Sequence, residues 1–212
     1  MADQEMEFAD TKLCALYYYE LFWMSVSIVN KCSKIFEMAI VPERGYSIQI
    51  NPEIHSLIAS VLSDATNMKR LFVTQSVKLN GENGAKHKLR MARAREILQF
   101  LAPLKITEIL NSKVRNTLEH FDEYLDDANY SLSKKPMGAG RAAYNVVISH
   151  WEVTDPRLFP IRLYVSSERK FYNMKWSVDI GLIFREAQSI VVLIKESGLM
   201  GQQDPGGVLV NI

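Results

Sequence analysis

A mainly α fold is predicted: an up-and-down bundle of about five helices with a small antiparallel β-hairpin inserted between the last two. Two observations carry this. Apolar residues recur at steps of three and four through successive long segments, the spacing of amphipathic helices with one buried face. Before the final segment, β-branched and aromatic residues gather in short runs over 144–176, the pattern of strands.

Each helix has its own signals. The first is expected from about Asp3 to Ala39, ended by Pro42 and Gly45. The run Leu13 to Val29 is apolar, but Glu20 sits in its middle behind Tyr17, Tyr18 and Tyr19, so a core helix is expected and not a membrane span. Asn51-Pro52-Glu53 reads as a helix start, with Asn51 as cap, Pro52 at the first position and Glu53 favoured by the dipole. Ile54, Ile58, Val61, Leu62, Ala65, Met68 and Phe72 give that second helix its buried face. His55 lies beside this face with no ligand partner one turn on, and reads as structural or solvated.

The third helix, about Lys86 to Leu101, holds the densest basic stretch: Lys86, His87, Lys88, Arg90, Arg93 and Arg95. Its single apolar stripe leaves most of these cations outside the core, either as a solvated face or as a track for phosphates. A fourth helix is expected from about Thr107, acting as cap, to Leu132, stopped by Pro136 to Gly140. The strand runs are Tyr144–Ser149, Ile161–Val165 and Phe171–Trp176, with Ser166–Lys170 as the turn of the later hairpin. Ser177 is expected to cap the last helix, whose inward face carries Ile180, Ile183, Ala187, Ile190 and Ile194 until Gly198.

At 212 residues, 48% of them hydrophobic, the chain suits one domain, here 1–198, followed by a flexible tail over 199–212. The formal net charge of +1 does not announce a nucleic-acid binder, so any phosphate-binding surface has to be local. Cys14 and Cys32 share one expected helix and lie too far apart along it to bridge, which reads as buried thiols in a reducing compartment. Asp3, Glu5, Glu7 and Asp10 stand where a secretory signal carries basic residues, so a cytoplasmic location is expected.

The fourth helix organises the functional reading. Leu110, Val114, Leu118, Phe121, Leu125, Ala128 and Leu132 form one apolar stripe. Set at ~100° per residue, Asn116 and His120 fall nearly opposite that stripe and Arg115 on its flank. The spacing Arg115-Asn116-x-x-x-His120 resembles the R-x4-H signature of the HEPN superfamily, small all-helical domains in which a polar residue follows the arginine; here it is Asn116.

The resemblance implies a homodimer with the motifs of both protomers lining one cleft that cuts RNA without metal or cofactor. RNA carries its own 2′-OH nucleophile, so cleavage needs proton transfer and stabilisation of charge on the phosphorus oxygens. His120 would supply the first, since an imidazole titrates near neutrality, and Arg115 the second, through its planar, permanently charged fork. Asn116 would orient the phosphate or the imidazole. Lys86, Lys88, Arg90 and Arg93 would hold the strand, and a toxin or phage-defence role with a cognate antitoxin partner follows from the same resemblance.

Glu119, Asp122, Glu123, Asp126 and Asp127 cut against this, because they would repel a phosphate chain unless neutralised. The competing expectation is a non-catalytic helical module that binds a protein or nucleotide through the polar face of the same helix.

Overall fold

The computed structural model describes residues 7–134, 140–154, 158–199 and 207. Among these residues there are six α-helices: α1 Cys14–Met38, α2 Pro52–Phe72, α3 Gly84–Phe100, α4 Lys113–Glu119, α5 Phe121–Lys134 and α6 Ile180–Glu196. They are joined by a five-stranded sheet, β1 Ile48–Gln49, β2 Ala142–Ile148, β3 Phe159–Val165, β4 Lys170–Asn173 and β5 Trp176–Asp179, in the order β1-β2-β3-β4-β5. The expected tail lies outside the described residues except for Leu199 and Gly207, and so does most of the expected stop at 136–140. No described helix is long and apolar enough to cross a membrane.

The helical core follows the sequence periodicity. α1 buries Leu21, Ile28, Cys32 and Ile35 against α2 and α6. α2 begins where its cap signals place it: the Asn51 side chain accepts a hydrogen bond from the Glu53 N–H at 3.0 Å, and Pro52 needs no acceptor at the first position. Lys31 reaches from α1 to Asp64 of α2 at 2.6 Å, joined there by the Ser27 hydroxyl at 2.8 Å. Cys14 and Cys32 are both free, and burial pushes the Cys32 thiol up to about 12, the state of an inert packing residue.

The insertion is larger than a hairpin. Val147, Tyr164, Phe171 and Val178 close the helical core from below, while Ala143, Ile148, Leu163 and Val165 make a smaller apolar layer on the opposite face with Trp151 and Tyr172. β2 and β3 are parallel, connected through the short 3-10 turn Trp151–Val153, and only β3-β4 and β4-β5 are hairpins. β1, from the loop after α1, pairs antiparallel with β2. The expected turn at Ser166–Lys170 is present, but the run Phe171–Trp176 is cut at Met174, which adopts a φ of 54° and starts a second hairpin. Ser177 therefore sits in β5, and the cap of α6 is Asp179, whose carboxylate accepts the Leu182 N–H at 2.7 Å.

Two other boundaries differ from expectation. α1 starts at Cys14, because residues 8–13 form turns in which the Thr11 hydroxyl donates to the Phe8 carbonyl at 2.7 Å. Thr107 starts no helix. The carboxylate of Glu186, buried in α6, accepts from the N–H groups of Thr107 (2.7 Å), Glu108 (3.0 Å) and Ile109 (2.9 Å) and from the Thr107 hydroxyl (2.8 Å). That carboxylate pins the loop 107–109 to α6, and the motif helix begins only at Lys113.

Candidate functional site

α4, two turns long, has two opposed surfaces. Val114 and Thr117 are fully buried, Arg115 is half-buried with its side chain 21% exposed, and Asn116 and His120 are exposed. Thr117 donates its hydroxyl to the Val114 carbonyl at 2.6 Å and accepts the side-chain amide of Asn173 at 2.8 Å. Asn173 in turn accepts the backbone N–H of Arg162 at 3.1 Å. This buried chain of hydrogen bonds fixes the motif helix to β3 and β4.

The single long helix expected over 107–132 is broken at His120, whose backbone (φ −106°, ψ 43°) ends α4 before α5 begins. The break swings Phe121 beneath the guanidinium of Arg162, 4.1 Å from ring centre to Cζ. Beyond it the apolar stripe continues through Phe121, Leu125, Ala128 and Leu132, yet none of these is fully buried; α5 keeps its amphipathic pattern without a full covering. The acids that follow the motif are in play electrostatically. Arg115 forms an ion pair with Glu119, and the Nδ1 of His120 lies 3.3 Å from the Glu123 carboxylate.

The basic residues sit on α3, which leans on α2, as does α4. Arg90 has all five of its N–H donors engaged: two with Glu82 at 2.8 Å, one each with the carbonyls of Gln75 (2.8 Å) and Val77 (3.0 Å), and one with the Thr74 hydroxyl. That fork holds the Glu82 carboxyl down at about 2. Arg93 donates to the Arg70 carbonyl at 3.1 Å and lies over the Tyr17 ring. Both arginines thus staple the fold, while Lys86 and Lys88 are exposed at the start of the helix.

A second constellation lies beside α4. His55 and Ser56 of α2, Leu118 of α4, Asn145 of β2, Arg162 of β3 and Phe171 of β4 line a cleft of about 310 Å³. Its polar atoms are buried and unpaired: both ring nitrogens of His55, Oδ1 of Asn145 and Nε of Arg162 find no hydrogen-bond partner. Burial pulls the His55 imidazole down to about 4; the nearby Asn145 backbone opposes this without reaching ordinary hydrogen-bond geometry, and the Arg162 charge adds to it. Asn145 (φ 53°) and Arg162 (φ 58°) are both left-handed, at the rung skipped between the paired residues Tyr144–Ile161 and Val146–Leu163.

Sequence reasoning placed His55 beside the buried face of α2 but passed over Asn145 and Arg162. The available signal was a polar residue in the middle of each of two β-branched, aromatic runs, Tyr144-Asn145-Val146 and Ile161-Arg162-Leu163. Comparison with protein-family models, with characterised proteins and with solved structures gives no match.

Proposed function

We propose that the chain is a HEPN-like endoribonuclease acting as a homodimer without a metal, in a toxin or phage-defence setting in the cytoplasm. The observation that supports this best is the exposure of Asn116 and His120, with Arg115 on their flank, on a helix whose other side is anchored by Val114 and Thr117. In this reading a second copy faces the trio, and its chain or the bound RNA displaces Glu119 from Arg115 and Glu123 from His120. His120 moves the proton between the 2′-OH and the leaving oxygen, Arg115 stabilises the phosphorus oxygens and Asn116 orients them. Lys86 and Lys88 hold phosphates further along the strand, and an antitoxin protein would act by covering the same face.

A second reading, a non-catalytic module that binds a protein or nucleotide, is favoured by the pairing of Arg115 with Glu119, which already neutralises the proposed phosphate-binding cation in the single chain.

The deciding experiment incubates single-stranded RNA with the full chain in the presence of a chelator. Cleavage products ending in cyclic phosphate are expected, with a loss of about 100-fold or more in His120→Ala and Arg115→Ala that fold like the wild type. Equal behaviour of wild type and both variants overturns the enzyme reading and leaves the binding module.

A further inference from the structure

The cleft beside α4 has features that packing alone does not account for. Arg162 has no salt-bridge partner among the described residues, and its Nε is buried and unpaired. Arg162 as a whole is half-buried, but a buried donor or acceptor with nothing to bond is costly. Here four such atoms from three elements converge on one space. Backbone geometry points the same way. Two adjacent parallel strands each place a residue other than glycine in the left-handed region at the same rung, and such outliers persist where the surrounding structure holds them for a purpose.

We propose that this cleft binds a small organic anion: a carboxylate or phosphate group carried on an apolar body. Charge selects the anion. The lining contains the Arg162 cation, a neutral imidazole and an amide, and no acid. Arg162 donates to the oxyanion, the single N–H of the neutral His55 ring adds a second donor, and Asn145 bonds a polar atom further along the ligand, its amide turned either way. Leu118, Phe171 and the outer edge formed by Pro52 and Ala59 supply the apolar walls. The size, about 310 Å³, is at the lower end of small-molecule sites, which suits one ring or a short chain and excludes a polymer. Arg162 is pre-set for this role: its guanidinium plane rests on Phe121 and its backbone N–H is held by Asn173.

This inference does not rest on the endoribonuclease reading, since none of Arg115, Asn116 and His120 lines the cleft. It is tested by calorimetric titration of the full chain with phenyl phosphate, benzoate and neutral benzamide. One of the two anions is expected to bind at about 1 mM or tighter, and which one prevails tells a phosphate from a carboxylate ligand. Benzamide is expected to bind at least about tenfold more weakly, as is the preferred anion to Arg162→Met. Asn145→Gly removes the orphan oxygen at a left-handed position that glycine accepts without strain, and is expected to weaken binding by a smaller factor. Should Arg162→Met fail to fold, Ala59→Leu, at an exposed position on the rim, narrows the cleft and is expected to block uptake while every polar group stays in place. Wild type that takes up neither anion, or binds benzamide equally well, overturns the proposal, as does undiminished binding by the narrowed variant.

Discussion

Glu186→Ala is expected to lower the unfolding free energy by about 4 kcal/mol, the largest loss from any single side chain outside the apolar core. Glu186 is 4% exposed, and its carboxylate accepts from three consecutive backbone N–H groups and one hydroxyl, all in the loop that leads into the motif helix. A hydrogen bond to a charged group contributes roughly 1.5–3 kcal/mol, and the buried Ile109 N–H left without an acceptor adds a desolvation cost, while Thr107 at the exposed edge can turn to water; together these hold the loss near 4. Glu186→Gln keeps one acceptor oxygen and is expected to lose about half as much. Urea unfolding of both variants measures this. A loss below about 1 kcal/mol in Glu186→Ala would show that the loop finds other acceptors. The substitution also frees the segment before α4. Glu108, one of the pinned residues, holds the start of α6 through the Asp179 N–H at 3.0 Å, so loosening reaches both ends of the site's frame.

Asn173→Ala comes next, at about 3 kcal/mol. Asn173 is fully buried and is the middle link between the Arg162 backbone and Thr117. Without it a partly buried N–H at a left-handed residue and a buried hydroxyl each lose a partner, and a small cavity opens where the amide stood. The consequence is local as well as global. Arg162 loses the bond that sets its backbone and α4 loses its tie to the sheet, so both candidate sites are expected to weaken together. Denaturant unfolding combined with hydrogen exchange at the amides of α4 reads this; unchanged protection there would mean that the apolar contacts of Val114 alone hold the helix.

Where local chemistry decides, the sequence is a reliable guide. The start of α2 depends on Asn51 and Pro52, neighbours in the chain, and the inward face of α6 depends on a spacing visible within one segment. The exposure of Asn116 and His120 was legible for the same reason, since a period near 3.6 with Val114 inward leaves them outward. The loop at Thr107 is held by a carboxylate 79 positions away, a partner that no local rule detects. The sheet depends on two pairings that no single stretch encodes. Parallel pairing of β2 and β3 departs from the usual hairpin between neighbouring strands, and β1 is a two-residue strand recruited from a distant loop. Asn145, Arg162 and His55 meet only once those pairings form, so their cleft has no signature in any one stretch.

The proposed ribonuclease requires that the exposed face of α4 meet its own copy in a second chain. Asn116→Cys in a Cys14→Ser background, treated with a short bis-maleimide, tests it most directly, because Cys32 is buried and leaves position 116 as the accessible thiol. A dimer by light scattering that is captured efficiently through position 116 is the result expected. A monomer at every concentration tried, or a dimer that position 116 fails to link, would contradict it.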